Sequence, residues 1–600
     1  MDDQNKNLIL ATALSFAVIL VWFLLFPPQD QPQTTQQPPA ATATATTAAP
    51  AAAPATTAAT ASEVATAAAA DIPRLKIQTP RLEGAISLQG GRIDDLLLKG
   101  YPETLAKDSP LVRLLTPVGD KHAYYVLYGW APGGSLTESD VPNANTIWSV
   151  QGNDTLTPST PVTLTWNNGK GLVFTRTMAI DANYMFTVTQ GVQNTTGAPV
   201  TLQPYGMVVR HGEPVSQSTT ILHEGVVQMI DGKLTEIKYR GMPKLDDVAR
   251  EGGPAEVVDA KTDGWIGFTD KYWMTTLIPA AGSPFTAVAK YTKASDIYQT
   301  EARLPVMTVA ASGQAEVTSR LFAGAKEYDT IRTYQNRDHV DRFIDSIDWG
   351  WFFFFTKPIY WLMHNLHILV GNMGLAIICL VFIIKAILFP LAYKSYVSMA
   401  RMKELQPEME KLKERAGDDK GKLQREMMQL YKEKKVNPAA GCLPVLLQIP
   451  IFFSLYKVIY VTIELRQAPF FGWVRDLSAP DPSSWMNLFG LLPFGAPEVG
   501  SILAPISLGL LPLLLGITMW LQQKLNPAPT DQTQKMIFAW MPFIFMFMLG
   551  HFASGLVLYY ITNNSLTFIQ QYMIMRRHGH SPDIFGNIRA GFQRKKPVAK

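Results

Sequence analysis

The residues best suited to chemistry in this sequence are polar groups set inside apolar runs. Lys385 lies in Ile383-Ile384-Lys385-Ala386-Ile387, and a lysine at the centre of a membrane helix costs ~2.5–3.5 kcal/mol on insertion scales. Gln448 lies in a second apolar run, and Thr518 and Gln522 lie in a third. Tyr559, Tyr560, Asn563 and Thr567 run through the last, with Asn564 and Gln571 beside them. Two readings fit one cation among amides, hydroxyls and phenols. Lys385 can extend its ammonium to the interface while the other groups hold helices together. Alternatively, they line a hydrophilic groove in which Lys385 attracts acidic groups, a force that low dielectric strengthens. No nucleotide loop, metal-ligand spacing or nucleophile–base pair accompanies them. Hydrolysis and nucleotide-driven pumping therefore lack parts, and neither an enzymatic reaction nor a cofactor is expected. His211, Glu213 and His223 also lack ligand spacing and read as ordinary surface or core residues.

The elements that hold these groups follow from the distribution of apolar residues. The chain has 600 residues, 47% of them hydrophobic, and a net charge of +4. An average soluble protein is nearly as apolar, so the mean decides nothing, and the charge is too small to argue for nucleic acid. Apolar runs crowd instead into 8–26 and 368–575, which excludes both a purely soluble protein and a pure membrane bundle. The two cysteines, Cys379 and Cys442, both lie in apolar segments, so no disulfide framework is available. After a short N-terminus at 1–7, residues 8–26 are uncharged and long enough to cross a hydrocarbon core of ~30 Å as an anchor. The Pro, Ala and Thr tract at 27–70 cannot bury enough surface to order itself and reads as a tether. Residues 71–335 show short alternating segments broken by turns, which predicts a large all-β sandwich. Hairpins are expected around Asn167–Gly171, Asn194–Gly197 and Gly90-Gly91, and a helix over 325–335.

The segment 340–356 mixes acids with aromatics and predicts an amphipathic helix along the membrane surface. Five spans follow, at 368–391, 439–463, 501–521, 535–552 and 555–574. A basic segment at 394–436, with apolar residues at helical spacing on both sides of Gly417, predicts a helical hairpin. The tail at 575–600 is also basic. Both should face the cytoplasm, which places both termini there and the β domain and the 465–500 loop on the far side, the periplasm in a bacterium. The expected fold class is thus mixed: an N-terminal anchor plus a five-helix core, with a periplasmic β domain.

A resemblance narrows the function. Asn437-Pro438-Ala439-Ala440-Gly441-Cys442-Leu443-Pro444, followed by Gln448-Ile449-Pro450, is similar to the signature of the YidC membrane protein insertase family. Ser554–Tyr560 resembles that family's last helix. Arg466–Phe470 and Leu477–Ala479 resemble its second external loop. The anchor and large β domain match the long Gram-negative form, in which a supersandwich is implied. The family implies a groove open to cytoplasm and lipid that draws in a substrate's polar tail, with Tyr559 and Tyr560 among its aromatics. Its usual groove cation is Arg; Lys385 keeps the charge but loses bidentate pairing. The implied function is insertion, folding and assembly of inner-membrane proteins in the cell inner membrane, alone or with the Sec translocon. The implied partners are nascent membrane proteins, the lipid bilayer, and ribosomes or targeting factors. The alternative is a secondary transporter of an anionic solute bound at Lys385, although paired repeats with interrupted helices are missing. A sensor with a membrane anchor is a third reading, which the polar content of the spans exceeds.

Overall fold

A computed structural model describes residues 72–214, 222–417, 419–434, 436, 443–492, 497, 503, 506–526 and 532–579. The expected anchor at 8–26, the tether, the motif residues Asn437, Pro438, Gly441 and Cys442, and the tail from 580 onward lie outside these residues.

The strands form where apolar residues alternate. Leu172–Ile180 buries every second side chain and pairs with Val162–Asn167, placing Val162 opposite Met178 and Trp166 opposite Phe174. Among the described residues, twelve strands make one sheet and nine the other, with a continuous apolar core between them. The Gly90-Gly91 turn joins Leu82–Ser87 to Arg92–Pro102. Gly91 has φ of +61°, and a Cβ there would lie 2.4 Å from the Arg176 guanidinium, so only glycine is accommodated. Arg176 is itself buried and donates to the carbonyls of Gly90 and Gly91 at 2.9 and 3.1 Å.

One expected hairpin is absent. Met185–Asn194 belongs to the nine-stranded sheet and Val200–His211 to the twelve-stranded one. The turn between them carries the chain across the core instead of folding it back. The buried Asn194 amide fixes that crossing by donating to the carbonyls of Ala198 and Ala310 at 2.8 and 3.0 Å. The closing helix, α1, spans Tyr328–Arg337, with Ile331 and Tyr334 fully buried.

The helical region contains α2 (Phe353–Val370), α3 (Met373–Glu404), α4 (Gln406–Ala416), α5 (Lys420–Glu433), α6 (Leu443–Val461), α7 (Leu510–Leu525), α8 (Gln532–Leu549) and α9 (Ser554–Arg577). Two expected boundaries are corrected. Residues 340–352 do not form the amphipathic helix; only Phe343–Ser346 makes a short 3-10 turn, and α2 begins at Phe353. Two of the acids there point inward: Asp345 pairs with Lys357 at 2.5 Å and Asp348 with Lys457 at 2.5 Å. The run at 368–391 is likewise broken, because Gly371 (φ +69°) ends α2 and the Asn372 side chain accepts from the Leu375 amide to start α3.

In the third span α7 begins at Leu510, and most of 501–505 lies outside the described residues. Asp481 accepts from the Leu511 amide at 2.8 Å and so fixes the first turn of α7. Among the described residues, α3 is the one helix long and apolar enough to cross a membrane by length and composition, with shorter apolar stretches at Gln448–Val461 and Met536–Leu549. The helices α4 and α5 form a hairpin about Gly417, joined by Lys434 and Glu408 at 3.2 Å.

The helices bury Leu380, Leu455, Leu515 and Leu556 at their centre. Phe382, Ile387, Ile517, Ile544 and Phe547 are left exposed on the outside. An apolar exterior around an apolar centre suits lipid rather than water.

Candidate functional site

The site is built on α9. Tyr559, Asn563, Thr567 and Gln571 recur every fourth residue and are all buried, so they form one stripe on one helix face. Over eight residues, from Tyr559 to Thr567, the stripe runs about 12 Å along the axis. Each neighbouring helix contributes a polar partner to it. From α6, the Gln448 amide donates to the Tyr559 hydroxyl. From α3, the Lys385 ammonium donates to the Thr567 hydroxyl at 2.8 Å. Gln571 donates to the Asn526 side chain, just beyond α7, at 3.1 Å. Thr567 in turn donates to the Asn563 carbonyl one turn earlier, at 2.6 Å.

Five of the residues singled out from sequence therefore meet on this stripe in two groups: Lys385 with Thr567 and the Asn563 carbonyl, and Gln448 with Tyr559. Tyr560 stands on the adjacent face, with its ring 5.2 Å from Phe452. Thr518 is not drawn in; its hydroxyl returns to the Leu515 carbonyl of its own helix at 3.0 Å. Gln522 is half-buried on α7. Sequence reasoning missed Asn526, which has no periodic signal because it lies past the helix end. Among the described residues Lys385 has no carboxylate within ion-pair distance. Pro450 lies inside α6, and Pro444 lies in its first turn.

The end of the bundle where α9 begins ties together segments that are distant in sequence. The amides of Ser554 and Gly555, at the start of α9, donate to the carbonyls of Ala479 and Leu477 at 2.7 and 2.9 Å. The Arg466 guanidinium donates to the Pro102 carbonyl of the β domain at 2.6 Å. Asp348 joins the same two regions, accepting from the His223 amide at 2.9 Å and from Lys457 on α6. Burial pushes the Asp348 carboxyl up, but the Lys457 charge and these hydrogen bonds outweigh it and hold it below its usual range. Burial holds the His223 imidazole well below its usual range, against the Val226 carbonyl and Asp348. His211 and Glu213 form no common centre with His223: Glu213 pairs with Arg240 at 3.6 Å, and the His211 ring packs against Tyr125. Among the described residues no group of acids, histidines and cysteines could hold a metal ion.

Comparison with known proteins gives this arrangement a family. A family model described as the YidC periplasmic domain matches residues 74–362, and one described as 60Kd inner membrane protein matches 363–581. A relative from Dinoroseobacter shibae named membrane protein insertase YidC is 64% identical over 100% of this chain and 99% of its own. One of the same name from Ruegeria pomeroyi is 61% identical over the whole of both chains. A crystal structure of an active YidC insertase with its first transmembrane domain resolved aligns with 84% of this chain and 93% of its own, at 19% identity and a TM-score of 0.34. With two family models in tandem and relatives matched end to end, the chain belongs to the YidC family of membrane protein insertases.

Proposed function

We propose that this protein inserts, folds and helps assemble inner-membrane proteins through a hydrophilic groove open to the cytoplasm, without enzymatic turnover. The observation that carries this reading is the Lys385–Thr567 hydrogen bond inside the helical bundle, on the same α9 stripe as the separate Gln448–Tyr559 bond. A cation resting on a neutral hydroxyl remains available to a carboxylate, and the amides and hydroxyls beside it keep water nearby. An acidic polar flank of a nascent segment would enter this recess. Its hydrophobic part would then move into lipid along the apolar outer surface of the bundle. Two terms drive the transfer: burial of substrate apolar surface at ~25 cal/mol per Å², and the membrane potential acting on charge at about 2.3 kcal/mol per 100 mV. Lys385, Gln448, Tyr559, Tyr560, Asn563 and Thr567 are the groove residues in this reading, with Thr518 and Gln522 at its margin.

The topology that goes with it places both termini and the α4–α5 hairpin in the cytoplasm and the β domain in the periplasm. The basic residues of the hairpin and tail support that orientation. The hairpin would receive ribosomes or targeting factors, and the β domain would be an accessory able to meet the Sec translocon. Depleting the protein should block insertion of a short-tailed inner-membrane substrate. Lys385→Arg should restore it, whereas Lys385→Glu should impair acidic-tailed substrates most. Equal rescue of all substrates by Lys385→Glu would remove the groove's charge from the mechanism.

A further inference from the structure

The segment between α6 and α7 carries an apolar tip that faces away from the protein. Leu491 is 85% exposed and Leu488 52%, with Trp485, Phe489 and Leu492 exposed beside them. Their backbone is fixed rather than loose. The Ser484 hydroxyl accepts from the Met486 amide at 3.1 Å, and the Phe489 and Leu492 amides donate to the carbonyls of Ser484 and Asn487 at 2.7 and 3.1 Å. Leu488 and Phe489 are both held in the left-handed region, at φ of +51° and +57°, which side chains of this size disfavour. A fold that keeps two large apolar residues strained and outward needs something apolar to receive them.

The attachment of the tip places it at the head of a helix. The Trp485 amide donates to the Leu508 carbonyl at 2.9 Å, the Ser484 and Ser507 hydroxyls bond at 2.7 Å, and the Trp485 indole donates to the Ile506 carbonyl at 2.7 Å. Each of these partners lies within four residues of Leu510, where α7 begins. The tip is therefore level with the outer end of α7. Charge is sparse across the region: Glu498 is the only ionisable residue between Asp481 and Lys524. The indole N–H is already satisfied, so Trp485 can enter an apolar medium at no cost in unpaired donors.

We propose that the 485–492 tip is embedded among the acyl chains of the outer leaflet and anchors the outer end of α7 to lipid. The proposal rests on the topology given above, in which this loop lies on the external side. Lipid fits better than a protein partner because the tip adjoins the apolar exterior of the bundle and carries no charge with which to select a partner.

The test uses full-length protein with Cys379 and Cys442 replaced by Ser, reconstituted in oriented vesicles. Leu491→Cys and Arg475→Cys are compared, both positions being exposed. Arg475→Cys should react with an impermeant maleimide added outside, and Leu491→Cys should not until detergent is added. An environment-sensitive fluorophore at 491 should lose its emission in vesicles of lipid brominated high on the acyl chain, while the same fluorophore at 475 keeps it. Equal maleimide labelling at both positions, with no bromolipid quenching at 491, would overturn the proposal and leave the topology standing. Protection of 491 that persists in detergent would mean a protein occupant and would also overturn it. Failure of Arg475→Cys to label from outside would overturn the topology itself.

Discussion

Removing one member of the Asp348–Lys457 pair should cost far more than removing both. The Nζ–Oδ2 distance is 2.5 Å, and the side chains are 13% and 9% exposed. At an effective dielectric of about 20 the attraction at this separation is about 7 kcal/mol, opposed by several kcal/mol of desolvation for each ion. The two nearly cancel, so the intact pair contributes little net stability, whereas either charge deprived of the other keeps most of its desolvation cost. Asp348→Asn and Lys457→Met should each destabilise the protein by about 3–5 kcal/mol. The double variant should recover most of that loss. Denaturation of detergent-solubilised protein, followed by near-UV circular dichroism, gives the four corners of the cycle. Because Asp348 also accepts the His223 amide, each single variant should in addition open the 338–352 segment to limited proteolysis. A double variant as unstable as the sum of the two singles would refute the buried-pair reasoning. So would single losses below about 1 kcal/mol, the range of exposed pairs.

Two further outcomes follow from packing and from charge. A Cβ on Gly374 would lie 2.1 Å from the Phe470 ring, so Gly374→Ala should destabilise the first turn of α3 against the segment around Phe470 by about 1–3 kcal/mol, measurable in the same denaturation assay. Lys326 is buried, donates to the Thr269 hydroxyl and the Asp270 carbonyl, and is pushed by burial down to about 8. The unfolded chain holds this proton up to its ordinary pKa of 10.5, so stability relative to Lys326→Met should rise between about pH 8 and 10.5, by as much as about 3 kcal/mol. A difference that stays flat with pH would remove Lys326 as the titrating group.

The β class was legible because alternation has a period of two and burial follows it, as in Leu172–Ile180. The destination of each strand was not. The turn after Asn194 has the composition of a hairpin, yet it passes between sheets, and the deciding hydrogen bonds run to Ala198 and, from far along the chain, to Ala310. The acids of 340–352 matched a surface helix in type and spacing, but their ion partners Lys357 and Lys457 lie elsewhere in the sequence. In the bundle, the polar residues of α9 were legible by type, but which of them share the buried stripe from Tyr559 to Gln571 was not. Its pairing with Lys385 and Gln448 depended on how α3 and α6 lean on α9, which no local pattern carries. Thr518 shows the converse: it is polar and lies in a span, yet it is bonded within its own turn.

The bond from Lys385 to Thr567 also bears on turnover. A lysine locked to an aspartate would need that bond broken before it could greet a guest, and would be restored only by expelling the guest. Here the ammonium rests on an oxygen whose own proton is already given to the Asn563 carbonyl. In the proposed groove, an incoming carboxylate would therefore replace an uncharged ligand, and a departing one would leave the cation with a ready substitute. Under that proposal, capture and release would be an exchange between two modest contacts, as suits a protein whose clients must not stay.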